Sequence, residues 1–92
     1  MTDLFSRCLS PSPDALESRV GEETVILHLG NDTYYGLDDL GTRIWAMLRD
    51  GTPLPDIRDL LAAEFGVGRE RIEADMRSFL GHLLDHDLLV DV

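Results

Sequence analysis

Few side chains in this sequence are spaced for chemistry. A nucleophile needs Cys or Ser with a base held close, yet the single cysteine, Cys8, lies in a polar, proline-bearing stretch, and His28, His82 and His86 stand apart from it. No triad or dyad spacing is visible, so the chain reads as a binding protein and not as an enzyme. His82 and His86 are four residues apart, which puts two imidazoles on one helix face, and Asp75 shares that flank. A third ligand at binding spacing is missing, so the pair reads as a solvated polar edge and no metal is expected. No glycine-rich phosphate loop follows a strand, and Gly66-Val67-Gly68 reads as a turn between helices, so no nucleotide or other cofactor is expected.

Charge narrows the partners. Eighteen acids against eight Lys and Arg give a net charge of −10 over 92 residues. Duplex binding rests on cations that neutralise phosphates, so nucleic acid is not an expected partner. No segment approaches the ~20 apolar residues of a membrane span. Residues 1–13 lack the basic start and apolar run of a secretory signal. One cysteine allows no internal disulfide, and the expected location is the cytoplasm. A chain this short builds one modest core.

The elements that must carry any site follow from the periodicity. Residues 1–13 contain Pro11-Ser12-Pro13, which cannot continue regular pairing, and read as a flexible or loosely attached lead-in to a domain over 14–92. Leu16–Val20 forms a short strand, Gly21-Glu22 a turn, and Glu23–Leu29 a second strand in which Val25, Leu27 and Leu29 alternate with Thr24, Ile26 and His28. Gly30-Asn31-Asp32 supplies a tight turn, and Thr33–Leu37 resumes as a third strand. The period then changes. Leu40, Ile44, Met47 and Leu48 mark a helix behind a cap at Asp38 or Asp39 that ends at Gly51. Thr52-Pro53 starts a second helix with Ile57, Leu60, Leu61 and Phe65 on one stripe, closed by Gly66. A third runs from about Gly68 to Asp85 on Ile72, Met76, Phe79, Leu80 and Leu83, followed by the apolar exit Leu88-Leu89-Val90. The expected class is α+β: an N-terminal three-stranded antiparallel sheet packed on three helices, a winged helix-turn-helix with its sheet moved to the front.

That outline admits a DNA-binding regulator as one reading. The third helix stands where a recognition helix would, but Arg69, Arg71 and Arg77 are offset there by Glu70, Glu73 and Asp75. A three-stranded sheet also leaves two edges unpaired, and an open edge accepts a foreign strand through main-chain hydrogen bonds. Tyr34 and Tyr35 serve such a site, or are simply strand formers with one ring buried and one exposed. Strand addition makes proline at Tyr35 the expected way to weaken binding, by removing a strand N–H.

The run Tyr34-Tyr35-Gly36-Leu37-Asp38-Asp39-Leu40-Gly41-Thr42-Arg43-Ile44-Trp45 resembles the signature of the PqqD-like precursor-peptide recognition elements, in which an aromatic strand leads into Leu-Asn, then Gly or Ala, then Ile-Trp. Gly51-Thr52, Ile57 and Leu61, then Ile72, Asp75-Met76, Phe79-Leu80, Leu83 and Leu88-Leu89, continue in register. Two positions depart from the pattern: Asp38 replaces Asn and still caps a helix, and Asp87 replaces a Gly and reaches the left-handed conformation less readily. The resemblance implies a non-catalytic protein that binds the leader segment of a ribosomally made precursor, antiparallel to the third strand and in a groove closed by the third helix; a monomer is expected, although exposed strand edges also support dimers. Its partners would be a leader peptidase and possibly a cyclase of lasso-peptide biosynthesis; a chaperone of the quinone-cofactor pathway or of another peptide-modification pathway is the alternative. Carried over residue by residue, Thr33, Tyr34, Tyr35, Gly36 and Leu37 would form the pairing strand, and Asp75, Met76 and Phe79 would face the groove. Trp45 matches the family too, but reads as helix packing and not as a contact.

Overall fold

The computed structural model describes residues 3–92; Met1 and Thr2, the first residues of the expected lead-in, lie outside the described residues. A short 3-10 turn, Leu4–Ser6, precedes β1 (Leu9–Pro11), β2 (Ala15–Val20), β3 (Glu23–His28) and β4 (Tyr34–Leu37). Three helices follow, α1 (Asp39–Arg49), α2 (Leu54–Phe65) and α3 (Arg69–Asp85), and β5 (Leu89–Asp91) closes the chain. β2, β3 and β4 make the three-stranded antiparallel sheet in chain order, and the class is the expected α+β.

Local chemistry sets the boundaries. Asp38 is extended and accepts a hydrogen bond from the Gly41 N–H at 2.7 Å, so it, not Asp39, caps α1. Gly66 ends α2 in the left-handed conformation, φ 65°. After α3 the same role falls to Asp87, whose φ of 58° shows that the aspartate takes the conformation a glycine would hold more cheaply. The turn between β3 and β4 is held by His28, buried, whose Nδ1 accepts from the Gly30 and Asn31 N–H groups at 3.0 and 3.3 Å.

The core lies between the helices and one face of the sheet. Ile26 from β3, Ile44 and Leu48 from α1, Ile57 and Leu61 from α2, and Met76, Leu80 and Leu83 from α3 are all sealed from solvent. Burial of this kind stabilises by roughly 1.5–3 kcal/mol per large side chain.

The N-terminal segment differs from the expectation. β1 pairs antiparallel with β5, Leu9 opposite Asp91, and Phe5 and Leu9 belong to the main core at 7% and 5% exposure. Residues 4–11 are therefore packed, and among the described residues a second, two-stranded sheet stands beside the expected three-stranded one. The reason is apolar: Phe5 and Leu9 cover surface that the helices leave open, while Arg7 forms a two-pronged pair with Asp91 at 2.7 and 2.9 Å.

Candidate functional site: the β4 edge and its cleft

Backbone accounting fixes what β4 offers. The His28 N–H donates to the Thr33 C=O at 2.8 Å, and the register continues Ile26 to Tyr35 and Thr24 to Leu37. Hydrogen-bonded pairs alternate along an antiparallel ladder, so Tyr35 and Leu37 turn their backbone groups to β3, as does the Thr33 C=O, while the Thr33 N–H donates to Asn31 Oδ1 at 2.9 Å. The N–H and C=O of Tyr34 and Gly36 consequently point out of the sheet. The sheet ends at β4, and no other described backbone group bonds to either residue. This corrects the proline expectation: the Tyr35 N–H serves the protein's own ladder, and the outward donors are those of Tyr34 and Gly36.

Beside this edge is a cleft of about 390 Å³ between β4, the start of α1 and α3. Tyr35, Leu40, Gly41 and Phe79 supply its aromatic and apolar lining over the buried Ile44 at its floor, and Asp38, Asp75, Ser78 and His82 its polar rim. Tyr35 and Phe79 meet edge-on, ring centroids 6.3 Å apart. The Tyr35 hydroxyl lies 3.3 Å from His82 Nδ1, tying the strand to the helix at one end of the cleft. His86 packs on the same tyrosine at 6.1 Å while its Nδ1 lies 2.8 Å from the His82 carbonyl. These contacts engage both imidazoles, and among the described residues no three His, Cys, Asp or Glu side chains gather as metal ligands.

Gly41 sets the width. A Cβ there would sit 3.1 Å from both the Phe79 ring and the Asp38 carboxylate, tighter than ordinary contact, so glycine suits this close approach of α1 to α3. Gly36 is the opposite case, because a Cβ at that position meets nothing within 4 Å. Folding does not require glycine there.

The structure brings most of the expected residues together. Tyr35, Asp75 and Phe79 line the cleft; Tyr34 stands 65% exposed at the edge, Gly36 beside it, and half-buried Thr33 leads in. Leu37 points inward and is 7% exposed. Met76 is a correction: at 0% exposure it is core, because one helical step from Asp75 turns the side chain about 100° from the groove. Sequence reasoning missed Asp38, Leu40, Gly41, Ile44, Ser78 and His82 as lining residues. The interval 75, 78–79, 82 is helical spacing and could have revealed Ser78 and His82; Gly41 is apparent only once α1 and α3 are packed.

The model of the family described as coenzyme PQQ synthesis protein D matches residues 23–89. This chain belongs to the PqqD family. The match begins at β3 and ends at β5, so it contains the β4 edge, the cleft and all three helices. A solved structure described as TbiB1 in complex with the TbiA(beta) leader peptide is similar at a TM-score of 0.81, with 39% identity over 87% of this chain and 93% of that one. A second, a lasso peptide synthetase B1 complexed with the leader peptide, has a TM-score of 0.82 and 22% identity over 89% and 96% of the two chains, and supports the fold alone. No curated protein matches this chain closely enough to add to these.

Proposed function

We propose that this PqqD-family chain binds the leader segment of a ribosomally made precursor in lasso-peptide biosynthesis and presents it to the processing enzymes, a leader peptidase and possibly a cyclase. The leader adds as a fourth strand along β4, and its alternate side chains enter the cleft against Tyr35 and Phe79, with Asp75 at the rim. The observation that carries this is the vacant β4 edge: the backbone groups of Tyr34 and Gly36 lie open directly beside a formed cleft. Gly36 gives a partner chain room to approach. The likeness to TbiB1, 39% identical and solved with a leader peptide bound, supports leader binding as the chain's role. On this reading the chain itself performs no catalysis, and it works in the cytoplasm beside its enzymes; among the described residues no helix is long and apolar enough to cross a membrane.

Calorimetric titration of the full chain with the leader encoded beside its gene tests the reading. Saturable one-to-one binding at or below tens of micromolar is the expected result. Absence of heat at that concentration, with a folded protein confirmed by circular dichroism, would reject it.

A further inference from the structure

The other edge of the main sheet is also open, and its sequence matches itself. Leu16 to Val20 of β2 are exposed throughout. The Leu29 N–H donates to the Asp14 C=O at 2.9 Å, and the register continues Leu16 to Leu27 and Ser18 to Val25. By the same alternation, Leu16, Ser18 and Val20 turn their backbone groups to β3, while Glu17 and Arg19 turn theirs out of the sheet. No other described backbone group bonds to Glu17 or Arg19, and the strand contains no proline to blunt the edge.

Side chains select the strand that fits. About a two-fold axis through Ser18, Glu17 faces Arg19 of a second copy in both directions, and Leu16, 51% exposed, faces Val20, 61% exposed. Hydrogen-bonded pairing requires the outward residues to lie opposite one another, which this alignment satisfies. The neighbouring two-fold alignments that also satisfy it place Glu17 against Glu17 or Arg19 against Arg19, so backbone phase and charge choose the same register. Within the described residues Arg19 forms no ion pair, whereas Glu17 already binds Arg49 at 2.8 Å.

We infer that two copies of this chain pair through β2 into a six-stranded sheet with a free β4 at each end, in place of the monomer expected from sequence. The inference does not rest on leader binding, which uses the opposite edge. An edge-strand contact is small and each copy carries −10, so the association is weak, in the range of tens to hundreds of micromolar.

Sedimentation equilibrium of the full chain from micromolar to millimolar concentration tests it. The wild type is expected to follow a monomer–dimer equilibrium. Arg19→Glu and Glu17→Arg, each checked for an unchanged fold by circular dichroism, place like charges opposite and weaken self-association by about tenfold or more. Mixed together, the two variants regain a one-to-one dimer, because the acidic edge of one meets the basic edge of the other. Arg19→Pro removes an outward N–H that β3 does not use, and abolishes pairing by a second route. A wild type that stays monomeric to millimolar concentration, a dimer indifferent to these variants, or a mixture that fails to pair would each overturn the inference.

Discussion

The two flanks of α3 are built on opposite plans. On one, toward the N-terminal segment, polar groups are spent within the molecule: Arg77 pairs with Asp3 at 3.0 Å, Arg58 with Glu73 at 3.1 Å, and both guanidinium groups lie over the Phe5 ring. On the other, toward β4, Asp75 has no hydrogen-bonded or ionic partner among the described residues, and the strand facing it leaves backbone donors and acceptors vacant. On the first flank the charges serve the fold, whereas on the second an unpartnered carboxylate lies beside an open strand edge.

Substitutions one residue apart break this comparison most sharply. Met76→Ala cuts into the core and is expected to destabilise by about 2–5 kcal/mol in chemical denaturation. Asp75→Ala should leave stability within about 0.5 kcal/mol, and weaken leader binding severalfold by titration. Equal stability losses at both positions would erase the distinction between the flanks. Gly41→Ala comes next: the methyl meets the Phe79 ring and the Asp38 carboxylate, so a melt is expected to lose about 1–3 kcal/mol and leader affinity to fall with it.

These positions also mark what the sequence made legible. The β2–β3–β4 hairpins and the three helices are written locally, in Gly21-Glu22, Gly30-Asn31-Asp32, the Asp38 cap and the Gly66 stop. Pairing of β1 with β5 is not, because each strand has three residues and their partners stand some eighty positions apart. Three residues carry no periodicity, and Phe5 and Leu9 in a proline-bearing stretch resemble a tail until a core exists to receive them. The site was legible as a strand and a helix flank but not as a surface. Met76 and Phe79 lie on one apolar stripe in sequence, and only the packing decides that Met76 is interior while Phe79 is the wall. Which N–H groups of β4 are vacant depends on register with β3, and moved the sensitive position from Tyr35 to its neighbours.

Smaller effects sharpen the contrast from the closed side. Asp87→Gly relieves a left-handed aspartate after α3 and is expected to raise stability by about 1 kcal/mol without touching leader affinity. Acid should loosen the N-terminal flank. Hydrogen bonds from Arg77 and Arg7 hold the Asp3 and Asp91 carboxyls below the ordinary carboxylate range. Groups with lowered folded-state values contribute stability that is present above the unfolded value and lost as pH falls through the folded one. Protection of the Ser10 amide, which pairs with Val90, should therefore fall below about pH 4 once the rate is referred to its intrinsic value, and hold at neutral pH.

Amide hydrogen exchange at β4, residue by residue by NMR with and without leader peptide, tests the account most directly. In the free protein the Tyr35 N–H is protected by β3 and those of Tyr34 and Gly36 exchange freely; saturating leader should protect Tyr34 and Gly36 and leave Tyr35 as it was. A leader that binds while Tyr34 and Gly36 continue to exchange at their free rates would contradict strand addition at this edge.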